Sequence, residues 1–313
     1  SCFALTQNVT EGCNIVMWGL DWQAGDHLLL TDCEHFGVIH AAKQIQRRRK
    51  LELTFCPLSR AENSAQMLDV VVKALRPSTR LVVLSHVLWN TGQTLPVSEI
   101  VAACHAAGAL VLVDGAQSAG ALQLDLGGKD KADFYAITGH KWMCGPEGVG
   151  TLYVDPAALE ILEPTFVGWR GSSLDYKTGQ PTGFTAGASR FEVGTGAIPL
   201  LAGWRNSLTI HRQFGSAVER ERFMLANAEK LMNRLGRIAE VECLLGKAES
   251  GLVSFRIKGC THSDVVAKLD SQHRVFVRTI PVPDCIRASV HYFTTDEEIE
   301  RLASSLEAII SGQ

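Results

Sequence analysis

Apolar runs alternate with helical patterns over the first two thirds of the chain. Six short runs are rich in apolar residues and end at polar or turn residues, which predicts β-strands. Several are apolar throughout rather than at every second position, which is typical of strands covered on both faces of a sheet. The predicted strands are His27–Asp32, Leu51–Leu58, Arg80–Val87, Ala109–Ala116, Phe134–Lys141 and Val149–Val154.

Helical patterns such as Ser64–Leu75 and Pro96–Ala107 separate these strands. This alternation predicts an α/β layered domain with a mostly parallel sheet, which we assign to residues 1–205. Further along the chain, one long helix is predicted from Leu200 to about Leu235, rich in Ala, Leu, Glu and Arg.

A smaller α+β domain is predicted for residues 206–313. It includes most of the long helix, which connects it to the first domain, and continues with short strands and helices. Its predicted strands are Val241–Leu245, Gly251–Lys258 and Val275–Thr279, and its predicted helices are Ser263–Leu269 and Asp296–Ser311.

The amino-acid composition of the chain limits the classes of partner that it can bind. Of 313 residues, 46% are hydrophobic and 20% are charged, and the net charge of −3 leaves no strong field for nucleic acid or an anionic membrane. The basic run Arg47–Lys50 is therefore best explained as the solvated end of a helix. No apolar run reaches the roughly 18 residues of a membrane span. We expect neither nucleic-acid nor membrane partners.

The nine cysteines are scattered and include no Cys-x-x-Cys pair. This pattern is typical of reduced, mostly buried thiols in a cytoplasmic protein, so we expect no metal site and no disulfide framework. The first residues show neither an initiator Met nor a signal-peptide pattern. We therefore expect a cytoplasmic location and a native N-terminus upstream of Ser1.

Polar segments close or follow four of the predicted strands. They are the segments Thr31–His35, Leu88–Gly92, Asp114–Ser118 and Thr138–Lys141. Sites in open α/β sheets form outside the carboxyl ends of the strands. The four segments together therefore predict one functional site.

The residue types in these segments suit pyridoxal 5′-phosphate (PLP). This cofactor needs a lysine amine for a Schiff base and a carboxylate beside its pyridine nitrogen. Lys141 and Asp114 each end an apolar strand, where burial favours a neutral amine and makes an unpaired carboxylate costly. The helical run that opens at Asn8-Val9-Thr10-Glu11 carries capping residues and offers a helix N-terminus to a phosphate.

Two stretches carry a family resemblance: Val-Asp-Gly-Ala-Gln-Ser at 113–118 and Thr-Gly-His-Lys at 138–141. They resemble the PLP-dependent, fold-type I class V aminotransferase superfamily, which includes cysteine desulfurases, selenocysteine lyases and cyst(e)ine C–S lyases. Further stretches are most similar to the cyst(e)ine C–S lyases; these are Trp18–Trp22, Leu88–Gln93, Val167–Arg170 and Pro283–Ala288. The resemblance spans Asn8 to about Leu306 and implies a mostly parallel, seven-stranded large domain with a small C-terminal α+β domain.

The resemblance implies roles for the residues around the cofactor. Lys141 would form the Schiff base and act as acid and base at Cα, while Asp114 would pair with the pyridine nitrogen. His35 would stack on the ring, and Gln117, with Asn90 close by, would contact the phenolic oxygen. The residues that would hold the phosphate are Val9, Thr10, Thr138 and His140.

Three further roles are implied by the same resemblance. Thr195 would reach the phosphate bound in the partner subunit, so the site would need a homodimer. Arg287 would bind the substrate carboxylate through a bidentate fork. Trp169 would line the substrate side.

Each assignment has a structural alternative. The alternatives are a solvated strand-end lysine for Lys141, a helix-capping turn residue for Asp114, a core histidine or a partner of Glu34 for His35, a pair with Asp284 for Arg287, and core aromatics for Trp169 and Trp89. The glycines at 145, 148 and 150 do not follow the Gly-x-Gly-x-x-Gly order, and predict a tight loop beside Lys141 instead.

A short connection separates the lyases from their desulfurase relatives. Cysteine desulfurases carry a nucleophilic cysteine on a loop between the last small-domain strand and the carboxylate-binding arginine. Here seven residues with two prolines connect Val275–Thr279 to Arg287. If this stretch is a strand, Cys285 and Arg287 share a face, but so short a connection hinders an excursion of Cys285 toward the substrate sulfur. Cys260 follows an earlier strand and is the weaker candidate.

The resemblance thus implies PLP-dependent β-elimination of cystine or cysteine to pyruvate, ammonia and a persulfide or sulfide, with an iron–sulfur apoprotein as a sulfur acceptor. The alternatives are a cysteine desulfurase, a selenocysteine lyase or a class V aminotransferase, and a non-catalytic truncated paralogue. The family normally has a helical segment before the position of Asn8, which borders the substrate pocket. Its absence from the sequence leads us to expect a fragment, a processed form or altered substrate access.

Overall fold

The computed structural model describes residues 1–312, which group into two compact units. Unit 1 comprises residues 1–86, 95–120 and 124–213. Unit 2 comprises residues 87–94, residues 121–123 and the chain from Phe214 onward. The domain division that we predict between residues 205 and 206 stays a prediction.

Unit 1 contains a seven-stranded sheet. Its strands are β1 (Phe3–Thr6), β2 (His27–Thr31), β3 (Glu52–Cys56), β4 (Thr79–Ser85), β5 (Leu110–Asp114), β6 (Phe134–Thr138) and β7 (Gly150–Val154). Their spatial order is β1-β7-β6-β5-β4-β2-β3. Strands β2 to β6 are parallel, whereas β7 is antiparallel to both β6 and β1. This mostly parallel sheet confirms the predicted fold class.

The helices of unit 1 are α1 (Val9–Gly19), α2 (Phe36–Arg49), α3 (Ser64–Ala74), α4 (Val97–Ala106) and α5 (Ile198–Phe214), the last of which ends at the unit boundary. A hairpin of β8 (Ser172–Asp175) and β9 (Gln180–Phe184) precedes α5 in the chain. Helix α1 packs closely on β6, because a Cβ at Gly12 would lie 3.0 Å from the Cβ of Ala136. Apolar side chains of α1, α2 and the sheet form one buried core.

Unit 2 contains α6 (Ala217–Leu235), β10 (Val241–Cys243), β11 (Leu252–Ile257), α7 (His262–His273), β12 (Arg278–Pro281), β13 (Asp284–Ser289) and α8 (Asp296–Ser311). Its four strands form an antiparallel sheet in the order β10-β11-β13-β12. Phe255, Ile286 and Leu306 are fully buried in its apolar core. Unit 2 thus combines helices with an antiparallel sheet, which is the α+β character that the sequence predicts for the smaller domain.

The single helix predicted from Leu200 to about Leu235 is wrong. Helix α5 ends at Phe214 and a new helix, α6, begins after Ser216. The Ser216 hydroxyl accepts a hydrogen bond from Glu219 N, and the Glu219 carboxylate accepts one from Ser216 N. This capping box stabilises a new helix start, and its Ser-x-x-Glu signature is visible in the sequence.

Three further differences concern strands. The predictions missed β1 and the β8–β9 hairpin, which are short. The strand predicted at Val275–Thr279 begins later, at Arg278, and β13 then carries the residues up to Ser289.

Among residues 1–312, no helix combines the length and the apolar character needed to cross a membrane.

Candidate active site

Asp114 is the last residue of β5, and its carboxyl group is buried. The Oδ1 atom accepts a hydrogen bond from Ala116 N at 2.8 Å, so the turn-residue alternative describes part of what Asp114 does. Burial raises the pKa of Asp114, whereas this hydrogen bond and the positive charge of Lys141 lower it. A buried carboxyl group in this setting is suited to pairing with a cation.

Lys141 follows β6 in a tight loop, as the glycine spacing predicts. Gly145 N donates to Gly139 O at 2.8 Å, and Cys144 N donates to Lys141 O at 2.9 Å. A side chain at position 145 would place its Cβ 2.6 Å from the ring of Trp204, so this position requires glycine. The loop leaves Lys141 half-buried within electrostatic reach of Asp114.

The N-terminus of α1 offers amide groups to an anion. Asn8 is the N-cap, and its Oδ1 accepts a hydrogen bond from Glu11 N at 3.0 Å. The amides of Val9 and Thr10 lie in the first turn, where a helix provides no acceptors of its own. The positive end of the helix dipole adds to their attraction for a phosphate.

Gly150 brings this helix start to the end of β6. A Cβ at Gly150 would lie 3.0 Å from Asn8 Cα, and Gly150 pairs with Thr138 across β6 and β7. Thr138 Oγ1 lies 2.8 Å from His140 Nδ1. Burial, followed by the charge of Lys141, lowers the pKa of His140, which favours its neutral ring. The predicted phosphate-binding residues of unit 1 therefore meet at one sheet edge.

His35 is the N-cap of α2 and is half-buried, so it is not the core histidine of the structural alternative. Its Nδ1 accepts a hydrogen bond from Gly37 N at 3.3 Å. A Cβ at Gly37 would lie 3.3 Å from Thr10 Oγ1, so the start of α2 adjoins the start of α1. The stacking role of His35 stays a prediction.

Gln117 is held by an aromatic residue next to the Lys141 position. Trp142 Nε1 donates to Gln117 Oε1 at 2.8 Å, and both side chains are buried. Because the amide oxygen is engaged, the Nε2 group of Gln117 remains the donor for another partner. A donor is what contact with a phenolic oxygen requires.

Arg287 lies in β13 of unit 2 and is 8% exposed. One of its Nη atoms donates to Trp89 O, whereas its Nε has no hydrogen-bond partner within residues 1–312. Burial, followed by the charge of Arg278, lowers the pKa of Arg287 to about 10. The predicted alternative of a pair with Asp284 finds no support, since Asp284 Oδ1 lies 3.0 Å from His262 Nδ1 instead. A buried guanidinium with an unmet donor is suited to a carboxylate.

Asn90 lies in the 87–94 segment of unit 2. Its side-chain Nδ2 donates a hydrogen bond to Val282 O, and its main-chain oxygen accepts one from Ser254 Oγ, both at 2.9 Å. Its Oδ1 is buried without a hydrogen-bond partner in the described part of the chain. The predicted proximity of Asn90 to the phenolic oxygen of a cofactor stays a prediction.

The connection before Arg287 is even shorter than the sequence suggests. Strands β12 and β13 pair up to Pro281 and Asp284, which leaves only Val282 and Pro283 in the turn. Cys285 has no exposed surface, and burial raises its pKa to about 11. Because the thiolate is the nucleophile, Cys285 is poorly suited to attack a substrate. Cys260 follows β11 and packs against the apolar core of unit 2.

The sequence predictions missed Arg278. The β12–β13 register places it directly opposite Arg287, and it is exposed. Two like charges at directly opposed positions destabilise a sheet, so an anion between them would relieve the repulsion. Arg278 falls in a predicted strand, but only the register of the hairpin reveals its neighbour.

Trp169 and Thr195 lie on exposed segments of unit 1. Trp169 is 65% exposed, which excludes the core-aromatic alternative. A Cβ at Gly194 would lie 3.9 Å from Trp169 Nε1, so the segment that carries Thr195 adjoins Trp169. Their roles at the substrate and in the partner subunit stay predictions.

Comparison with known proteins identifies the family. The class V aminotransferase family matches residues 4–302, which is nearly the whole chain. The chain belongs to this family. The class V match agrees with the resemblance carried by the segments around Asp114 and Lys141.

Among solved structures, the chain is similar to C-DES. The complex between the cystine C–S lyase C-DES and its reaction product cysteine persulfide is 46% identical, with a TM-score of 0.93, and the match covers 97% of this chain and 81% of that one. A C-DES variant with glycine covalently linked to its PLP cofactor is 45% identical, with the same TM-score and coverage of 97% and 80%.

Curated relatives of the chain have different activities. Isopenicillin N epimerase of Streptomyces clavuligerus is 34% identical over 98% of this chain and 79% of its own length. A cysteine desulfurase of Enterobacter sp. (strain 638) is 31% identical over 97% of this chain and 76% of its own length. The choice among these activities therefore depends on the residues of the site.

Proposed function

We propose that this member of the class V aminotransferase family is a PLP-dependent carbon–sulfur lyase that cleaves cystine or cysteine by β-elimination. The likeness to C-DES supports this activity and this cofactor. The observation that carries the choice of lyase over desulfurase is the two-residue turn between β12 and β13, beside which Cys285 is buried.

The residues of unit 1 fit PLP. The Asp114 carboxyl group accepts one hydrogen bond, from Ala116 N, and within residues 1–312 no other, which leaves an acceptor for a protonated ring nitrogen. The amides of Val9 and Thr10 suit the phosphate. When bound, PLP supplies an electron sink for negative charge that develops at the substrate Cα.

Three side chains have separate roles in binding and proton transfer. Lys141 holds the cofactor, and its amine then removes the proton from the substrate Cα. Asp114 keeps the ring nitrogen protonated by accepting its hydrogen bond. Arg287 binds the substrate carboxylate, since its buried Nε donor has no partner within the described residues.

Bond cleavage follows the loss of the Cα proton. The Cβ–S bond breaks, and its electron pair leaves on sulfur. With cystine the leaving group is cysteine persulfide, and water hydrolyses the remaining three-carbon fragment to pyruvate and ammonia. Cystine is the favoured substrate because a persulfide is a better leaving group than a thiolate.

The pair of guanidinium groups in unit 2 also favours cystine. Cystine carries two carboxylates and cysteine carries one. Arg287 and Arg278 stand directly opposite each other on neighbouring strands, so two cationic groups are available to a substrate with two anionic ends. We assign the reacting carboxylate to the buried Arg287 and the distal one to the exposed Arg278.

A desulfurase would instead need a cysteine thiolate that can reach the substrate sulfur. Burial raises the pKa of Cys285 to about 11, and the tight β12–β13 turn provides no mobile loop to carry it. A protein-bound persulfide therefore forms no part of the reaction.

Two partners belong to the proposal. One is a second copy of the chain, supported by the exposed position of Trp169 beside the Thr195 segment. The other is an iron–sulfur apoprotein that accepts the persulfide sulfur, which rests on the family resemblance alone.

A product assay tests the proposed activity. The purified protein is supplied with PLP and with L-cystine or L-cysteine, and pyruvate, alanine and sulfane sulfur are followed. We expect pyruvate and small-molecule persulfide from cystine, and none with Lys141→Ala. Lys73→Ala serves as the matched control, since Lys73 is a surface residue paired with Asp69.

Each other product would overturn the lyase assignment. Alanine together with a protein-bound persulfide would indicate a desulfurase, and a D-amino acid would indicate an epimerase. PLP binding without any product from either substrate would indicate another class V activity. Failure to bind PLP would indicate a non-catalytic paralogue.

A further inference from the structure

Glu34 is a buried carboxyl group to which the mechanism above assigns no role. It follows β2 and is 3% exposed. Three donors hold it: Thr31 Oγ1 at 2.6 Å and Ser85 N at 3.0 Å on Oε1, and Ser85 Oγ at 2.7 Å on Oε2. A side chain bound this fully has one conformation, and its position relative to the sheet is set by two strands.

Ser85 connects Glu34 to Asp114. It is the last residue of β4, and it pairs with Asp114 in the parallel register of β4 and β5. The next residue, His86, donates its backbone N–H to Asp114 O at 3.1 Å. Glu34 is therefore anchored on the residue directly beside Asp114, within electrostatic reach of its carboxyl group.

Glu34 also precedes His35, the N-cap of α2. Because the Glu34 side chain is bound to β4, the main chain that enters His35 is fixed as well. One carboxyl group thus fixes the start of α2 and lies within electrostatic reach of Asp114, the acid that is assigned to the cofactor nitrogen.

The titratable groups around Glu34 come from three elements. They are Asp114 on β5, Cys13 on α1 and Cys56 on β3. Burial raises the pKa of both thiols, so neither carries charge near neutral pH. Burial also raises the pKa of Glu34, to about 7, although its hydrogen bonds act in the opposite direction.

We propose that Glu34 is a positioning residue that sets the negative charge of the Asp114 site, so that its ionisation strengthens the binding of a cationic cofactor ring. This inference rests on the proposed function for the identity of that ring. Protonated Glu34 leaves Asp114 as the sole anion beside the ring nitrogen. Ionised Glu34 adds a second negative charge within electrostatic reach of Asp114 and would stabilise the N–H⁺ form of the ring.

The first test compares PLP affinity in the wild-type protein and in Glu34→Gln between pH 5.5 and pH 8.5. Glutamine keeps the shape and most of the hydrogen bonds but cannot ionise. The dissociation constant of the variant is divided by that of the wild type at each pH. This ratio cancels pH effects that belong to PLP itself or to Lys141. We expect a ratio near 1 at pH 5.5 that rises to about tenfold at pH 8.5, the equivalent of one pKa unit, with a midpoint near pH 7.

Ser85→Ala is a second variant. Its expected effect on the pH dependence would not arise if Glu34 had a purely structural role. It removes the hydroxyl that donates to ionised Glu34, so the pKa of Glu34 rises and the midpoint of the pH dependence moves upward by about one unit. Glu52→Gln is the matched control, since Glu52 is exposed, pairs with Arg76 and should leave the pH profile unchanged. A ratio that stays within twofold over the whole range would overturn the proposal.

Infrared spectroscopy of the cofactor-free protein tests the titration directly. We expect the carbonyl stretch of a protonated carboxyl group at pH 5.5 that disappears by pH 8.5 and shifts its titration in Ser85→Ala. If Glu34→Gln does not fold, the comparison of the wild-type chain with Ser85→Ala decides the question, because only the Glu34 carboxyl group accepts a hydrogen bond from the Ser85 hydroxyl and Asp114 does not. A carboxyl group that remains ionised or protonated throughout would contradict the role of Glu34. Because this measurement needs neither PLP nor turnover, its failure is distinguishable from failure of the lyase assignment.

Discussion

The candidate residues of unit 1 and those of unit 2 are held in different ways. In unit 1, Asp114 and Lys141 come at or just after the ends of neighbouring strands, where short turns hold them. In unit 2, Arg287 lies inside a strand, and the groups around it belong to β12 and to the 87–94 segment. The positions of Asp114 and Lys141 follow from local structure at strand ends, whereas the surroundings of Arg287 depend on pairing between segments that are distant in the sequence.

This difference predicts different kinetic consequences. Residues of the unit 1 cluster are assigned to proton transfer and to the cofactor, so their loss should lower kcat. Residues of the unit 2 sheet are assigned to substrate carboxylates, so their loss should mainly raise KM.

The largest effect is expected for Lys141→Ala. Removal of the amine that takes the Cα proton should lower kcat for cystine by about 10³-fold or more. Steady-state pyruvate release measures this, with Lys73→Ala as the control at a surface lysine. A Lys141→Ala variant that retains a tenth of the activity would separate Lys141 from the chemical step.

The next largest effect is expected for Arg287→Lys. A lysine keeps the charge but loses the planar fork, so we expect KM for cystine to rise roughly 10- to 100-fold with a smaller change in kcat. Arg256→Lys is the matched control, because Arg256 is an exposed arginine on the adjoining strand β11. An unchanged KM in Arg287→Lys would show that the substrate carboxylate binds elsewhere.

Arg278→Ala should have a smaller and selective effect. If Arg278 binds the distal carboxylate, kcat/KM for cystine falls by about 3- to 10-fold, whereas the value for cysteine changes little. The comparison of the two substrates in one variant is the measurement. Equal losses for both substrates would assign Arg278 to the stability of β12 instead.

The smallest effect is expected for Cys285→Ser. A buried thiol without a catalytic role can be replaced with activity within about twofold of the wild type, at a stability cost of roughly 1 kcal/mol. Pyruvate release and thermal unfolding measure the two quantities. Loss of activity in a folded Cys285→Ser variant would favour the desulfurase alternative. It would show that the tight β12–β13 turn does not prevent Cys285 from reaching the substrate.

Most of the unit 1 architecture could be predicted from the sequence. The six strands predicted in the first two thirds are present within a few residues, because a continuous apolar run bounded by polar residues is a local signal. The break between α5 and α6 was missed because an Ala-, Leu- and Glu-rich pattern continues on both sides, although the Ser216 capping box marks it.

The sequence by itself determined the strand–helix alternation and the polar residues at the strand ends, and through them Asp114 and Lys141 as candidates. Periodicity and capping depend on neighbours along the chain, so they can be recognised without coordinates. Only the tertiary structure decided that Arg278 stands opposite Arg287, that Cys285 is fully buried and that Glu34 is bound to the strand beside Asp114. These facts depend on strand register and on burial among residues far apart in sequence, because a shift of one residue in a strand would turn Arg278, Arg287 or Cys285 to the other face of its sheet.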